Sequence, residues 1–344
     1  MKPQLLRGAV IGAGYFAAYH AEAWQRIPAV EIVAAADAAT GRGRVFAEHW
    51  GIPRGYSDAE EMLKRERPDF VDIVTPPATH LALVTLAADY GAQVICQKPM
   101  APTWAECEGM IAAARARDVR LLVHENWRWQ PWFREIKRLL DDGFCGEVFH
   151  AGFRMRAGDG RGAEPYVQQP YFRDMKRLLI DEMLVHFLDT FRFLVGEIAT
   201  VYCQLQRINP AIVGEDCALI ELSFATGAQG LIDANRFTGP AKPALTHATF
   251  EIEGERGTIR LTPEGDIWLN DYRESERLHS FTRPETGYKG DSVHAAQEHY
   301  ISCLRQGVAC ETEGDEYLKT VASVLACYRS AETGQVVEVS ARDF

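Results

Sequence analysis

The chain has 344 residues, 47% hydrophobic and 25% charged, close to the soluble globular average, which excludes disorder, collagen-like repeats and a disulfide-stapled miniprotein. At about 150 residues per domain, that length suggests two domains, each with a sizeable core. The 37 Lys and Arg against 48 Asp and Glu leave a formal charge of -11, and no apolar run reaches membrane-spanning length, so neither nucleic acid nor a membrane is expected as a partner.

The opening MKPQLLRGAVIG runs straight into a strand pattern instead of a cleavable apolar segment, which points to the cytoplasm. The eight cysteines contain no C-x-x-C pair and no zinc-site spacing, and read as reduced, mostly buried thiols. From Leu5 to about residue 124, short apolar runs alternate with helical stretches. The runs are Leu5 to Ile11, Glu31 to Ala36, Phe70 to Val74, Gln93 to Cys96 and Val119 to Val123. Helices begin near Tyr15, Gly41, Ser57, Ala78 and Thr103. Parallel neighbours need long crossovers, so the alternation predicts a doubly wound Rossmann sheet over 1–125.

Residues 126–344 form the second predicted domain, an α+β unit built on an open, mostly antiparallel sheet flanked by helices. A helix (Pro131 to Asp141), a strand (Glu147 to Met155), a long loop (Ala157 to Pro170) and a helix from about Arg177 to Val195 come first. Strand patterns follow at 199–208, 216–224, 229–237, 247–253, 257–261, 266–270 and 276–281. Their residues alternate with a period of two, as expected with one face buried. Helices at 292–305 and 314–333, expected near the domain junction, and a short strand at 336–339 close the chain.

After the first strand stands Gly12-Ala13-Gly14-Tyr15-Phe16-Ala17, a G-x-G-x-x-A turn opening a helix. The first glycine permits the tight turn, the second admits a pyrophosphate to the backbone, and Ala17 allows close helix–strand packing. Asp37, 23 residues after Gly14, ends the second strand, where an acid accepts ribose hydroxyls and repels a 2′-phosphate. NAD is therefore the expected cofactor, with NADP as the alternative through Arg42 or Arg44. Thr75-Pro76-Pro77-Ala78-Thr79-His80 and Gln97-Lys98-Pro99-Met100-Ala101 occupy the carboxyl edge of the predicted sheet, where ligands bind in such folds. Lys98 beside a nicotinamide is a candidate electrophile, and Asn126 lies on the same cofactor side.

In the second domain, Glu182, His186 and Asp189 lie along one side of a predicted helix. A neutral histidine there is a candidate general base. Arg128, Arg154, Arg156, Tyr171 and Arg173 are candidate substrate contacts, with arginine suited to a sugar carboxylate. Trp127, Trp129 and Trp132 read as buried packing. The long Gly-rich loop is expected to border the substrate.

Together and in this order, G-A-G-Y-F-A, T-P-P-A-T-H, K-P-M-A, E-N-W-R-W-Q-P and V-H-F-L-D resemble the glucose-fructose oxidoreductase, inositol dehydrogenase and rhizopine-catabolism (Gfo/Idh/MocA) family. The resemblance implies an NAD(P)-dependent dehydrogenase of sugars, polyols or sugar acids. It gives Lys98 the family's lysine role and His186 its histidine role, with Glu182 where many members have Asp. Gln97 stands where the family usually has Glu, and Phe172 to Arg177 replace its glycine-rich stretch. In the implied reaction His186 takes the hydroxyl proton of a secondary alcohol, Lys98 stabilises the alkoxide, Glu182 orients His186 or holds a neighbouring hydroxyl, and no metal is required. A catalytically silent NAD-binding sensor is the rival reading, and an enzyme that never releases its cofactor is a third. Assembly as a homo-oligomer is expected.

Overall fold

The apolar runs of the first third close into a six-stranded parallel sheet in the order β3-β2-β1-β4-β5-β6. Its strands are β1 (Leu6–Ile11), β2 (Val30–Ala36), β3 (Arg54–Tyr56), β4 (Phe70–Ile73), β5 (Gln93–Gln97) and β6 (Leu121–His124). The crossovers are α1 (Ala17–Trp24), α2 (Arg42–Trp50), α3 (Ala59–Glu66), α4 (His80–Asp89) and α5 (Trp104–Ala116). β4 and β5 are buried almost throughout, as strands covered on both faces must be. β3 escaped sequence reading because three edge residues, Arg-Gly-Tyr, carry no apolar period.

This computed structural model describes residues 5–239 and 244–340; residues 1–4 and 341–344 of the predicted domains lie outside that range. The chain divides into two compact units, one reaching to Asn126 and including Thr286–Leu318, the other Trp127–Glu285 with the residues from Lys319 on. The expected boundary at 125/126 thus falls one residue away, but 286–318 belongs with the first unit. The reason is visible in α8 (Ser292–Gln306): Ser292 Oγ accepts from Asn126 Nδ2 at 2.8 Å, Tyr300 Oη donates to the Val123 carbonyl at 2.9 Å, and Asp291, just before it, pairs with Arg26.

The second unit contains nine strands: β7 (Val148–Arg156), β8 (Ile198–Gln206), β9 (Cys217–Phe224), β10 (Gln229–Asn235), β11 (Ala248–Gly254), β12 (Thr258–Leu261), β13 (Ile267–Asn270), β14 (Arg277–His279) and β15 (Val337–Glu338). They form one sheet in the order β14-β13-β12-β11-β7-β10-β9-β8-β15, antiparallel except where β7 and β10 run parallel. On β7, Ala151, Phe153 and Met155 face inward while Arg154 and Arg156 face outward. Phe153 stacks on Phe187 and Phe250 at 4.3 Å each, which fastens α7 (Val185–Leu194) to the inner face. α6 (Pro131–Asp141) adds Phe133 to the same cluster. α9 (Gly314–Thr333) runs from the first unit into the second. Among the described residues no helix is long and apolar enough to cross a membrane.

Candidate active site

In the first unit the glycine turn sits at the carboxyl end of β1. Gly12 has φ +105°, and a Cβ there would stand 2.6 Å from the Val74 carbonyl, so glycine is required. A Cβ on Gly14 would meet nothing within 4 Å: this is the open approach that a pyrophosphate needs. Asp37 Oδ2 accepts the Ala13 N–H and Oδ1 the Ala39 N–H, both at 2.8 Å, so the acid also holds the turn in shape. Arg42 Nη1 lies 3.8 Å from Asp37 on the rim. Tyr15 is exposed, Phe16 half-buried and Ala17 fully buried against the sheet. These residues fit a dinucleotide.

Thr75 and Pro76 leave β4, and Pro77 starts a 3-10 turn through Thr79 that leads into α4. His80 is fully buried, with Nδ1 2.9 Å from the Met100 carbonyl and Nε2 2.8 Å from the Thr75 carbonyl. The ring thus sits between the carbonyls of the two edge loops, and in its neutral form its single N–H donates to one of them at a time. Asn126 spends its amide on Ser292.

Gln97 ends β5 buried, and its oxygen accepts the Lys98 N–H at 2.7 Å. That fixes the amide orientation, so Nε2 donates to His20 Nε2 at 3.0 Å. His20 Nδ1 in turn lies 2.7 Å from Asp72 Oδ2, to which Trp24 Nε1 also donates. Gln97 thus links the backbone of Lys98 to a fully buried polar chain.

In the second unit, a π-helical turn over Ile180–Leu184 precedes α7 and carries Glu182. Glu215 anchors its start, accepting from Leu178 N, Ile180 N and Tyr328 Oη. His186 is 5% exposed and lies flat on Trp127, centroids 4.9 Å apart and planes 12° apart; the same indole is stacked 6.1 Å from His247. Trp127, read as packing, therefore sets the plane of the candidate base. Arg128 is held bidentate by fully buried Asp189 at 2.8 Å on both sides, and Thr320 Oγ1 donates to the same carboxylate.

The family model described as "Oxidoreductase family, NAD-binding Rossmann fold" matches residues 6–125, and the GFO/IDH/MocA C-terminal domain matches 133–260. The chain belongs to the Gfo/Idh/MocA oxidoreductases. It is 36% identical to a D-apiose dehydrogenase of Paraburkholderia graminis over 97% of this chain and 89% of that protein. A D-apiose dehydrogenase of Rhizobium rhizogenes is 34% identical over 98% of each chain. The crystal structure of an Agrobacterium radiobacter oxidoreductase in complex with NAD+, L-tartaric acid and magnesium superposes with TM-score 0.91 at 33% identity, covering 98% of this chain and 99% of the other. This Gfo/Idh/MocA chain is an NAD-dependent dehydrogenase acting on CH–OH groups of sugar- or polyol-type molecules.

Within this family member the expected substrate contacts divide. Arg128 is committed to Asp189 inside the fold, and Arg154 and Arg156 stand with Asp233 on the sheet face opposite α7. Arg173 pairs with Glu164 and donates to the Pro170 carbonyl at 3.2 Å. Tyr171 stays near Glu182; partial desolvation and then that carboxylate push its phenol up.

Arg236 was missed by sequence reasoning. It is 3% exposed, paired with Asp159, stacked over Tyr166 and Phe172 at 4.3 and 5.0 Å, and its Nη1 has no hydrogen-bond partner. Burial works against its charge, but Asp159, Tyr166 and Glu182 outweigh that and hold its pKa raised. The loop Ala157 to Pro170 is a packed element: Tyr166 is buried in a cluster with Phe172, Leu178 and Ile212, and Asn209 donates to the Gly160 and Gly162 carbonyls.

Proposed function

We propose that this dehydrogenase oxidises a CH–OH carbon of a small free sugar of the D-apiose class. The observation that carries this reading is the 36% identity to a D-apiose dehydrogenase across 97% of the chain. Lys98, on the first unit, takes the electrophile role and His186, on the second, the base role. When bound, NAD+ accepts the hydride. His186, oriented by the flat Trp127 face, takes the hydroxyl proton, and Lys98 stabilises the oxygen as negative charge develops on it. Glu182 holds a neighbouring hydroxyl. The unpartnered Nη1 of Arg236, near Glu182, supports a second substrate reading, a hydroxy acid or sugar acid.

A panel of D-apiose, aldoses, inositols, sugar acids and tartrate with NAD+ and NADP+, scored by reduced-nicotinamide absorbance, tests both. D-apiose is expected to give the highest kcat/KM, with NAD+. A sugar acid ahead of D-apiose selects the second reading, and an inositol ahead of both rejects the proposal.

Assembly as a homo-oligomer is supported by exposed Leu219, flanked by half-buried Tyr202 and Leu231, on the outer face of the large sheet. A single-chain mass by light scattering would reject it. The eight unpaired thiols support a reducing compartment such as the cytoplasm.

A further inference from the structure

The spacing of cysteines in the sequence suggests no metal site, yet the fold of the first unit gathers a soft donor set. His299 and Cys303 sit one turn apart on α8, and the segment after that helix returns Cys310 to them. Their donor atoms all lie within 4.8 Å of one another, with His299 Nε2 3.5 Å and Nδ1 3.8 Å from Cys303 Sγ. Zn–S bonds of about 2.3 Å and Zn–N bonds of about 2.0–2.1 Å give tetrahedral edges of about 3.5–3.8 Å, so the set needs little movement. Cys303 and Cys310 are 3% and 6% exposed, while His299 is half-buried and leaves a side for a solvent oxygen.

We propose that His299, Cys303 and Cys310 bind one Zn2+-class cation that clamps residues 307–313 to the end of α8. Two thiol protons leave as two Zn–S bonds form, and His299 contributes the Nε2 lone pair that now accepts the Glu311 N–H at 3.2 Å. The fourth ligand is water. Glu313, already paired with Arg120, stays out of the set. The clamped segment carries Thr312, whose carbonyl accepts the Val123 N–H and whose hydroxyl donates to the Val123 carbonyl, both at 2.8 Å, so the cation pins the β6 edge of the parallel sheet. The role is structural, because none of the three side chains belongs to the proposed chemistry.

The test titrates reduced, chelator-treated full chain with Cd2+ and follows the ultraviolet thiolate-to-metal band, then displaces it with Zn2+. One equivalent is expected to saturate the band, and Zn2+ is expected to raise Tm. The Cys303→Ser/Cys310→Ser protein should lose the band while keeping dehydrogenase turnover, which also reports that it folds. His299→Ala should weaken Zn2+ at least about tenfold. The Cys203→Ser/Cys327→Ser protein, altered at the other close thiol pair, should keep the band. No band at one equivalent overturns the proposal, as does a band that survives loss of Cys303 and Cys310 or disappears with Cys203 and Cys327.

Discussion

The two sheets place chemistry in different ways. In the parallel sheet, both faces are covered by helices, so a polar group can meet a ligand only at strand ends; Gly12, Asp37, Thr75 and Lys98 all follow the last residues of β1, β2, β4 and β5. In the nine-stranded sheet, one face is left open, strands supply mainly a platform, and the candidate residues come from a π turn, a helix and a packed loop. A strand end is a position that sequence period reveals. The pitch of a helical turn and the burial of a loop are decided by packing.

The largest expected effect sharpens this contrast. His186→Gln and Lys98→Ala should each lower kcat by about 10² to 10⁴ while NAD+ affinity stays within a few-fold, measured by steady-state kinetics and calorimetry. Near-parental turnover in both would remove the functional half of the comparison. Next comes Arg128→Met, which strands the fully buried Asp189 carboxylate and should cost about 3–5 kcal/mol in denaturant unfolding, without raising KM. A raised KM at unchanged stability would return Arg128 to the substrate. Exposed Arg154→Met should change stability by less than about 0.5 kcal/mol.

Gln97→Leu should cost about 1–3 kcal/mol, since it deprives both His20 and the Lys98 N–H of a buried partner. The smallest effect is a pH dependence. Burial pushes the His80 imidazole below its ordinary value of 6.5, so the unfolded chain takes up the proton first. Its contribution is present above that value and is lost as pH falls below it. Thermal scans at about pH 5 and about pH 7.5 should therefore converge for His80→Gln relative to the parent.

Much of this was legible. The strand runs, the helix starts and the family strings place nearly every element, because long periodic segments leave few alternatives. The period-two pattern went further than the substrate candidates drawn from it. It puts Arg154 and Arg156 in phase with the outward residues of β7, and Arg236 in phase with inward Gly230, Ile232 and Ala234 of β10. Applied strictly, it would have exchanged the first two for the third. The Arg128–Asp189 pair and the His186–Trp127 stack join residues about sixty apart, and no local spacing encodes them. The same holds for Gln97, whose neighbours on α1 and β4 fix its role only once the sheet is closed.

The π turn over Ile180–Leu184 has an evolutionary consequence. A π turn holds one residue more than an α turn, so it tolerates the loss of a single codon without interrupting the helix. Such a deletion would leave His186 on its indole and rotate everything ahead of it by about 100°, carrying Glu182 to another side of the axis. One insertion or deletion at this point of the gene would thus change, in a single step, which side chain stands one turn ahead of His186, while the parallel sheet that carries the glycine turn inherits no change.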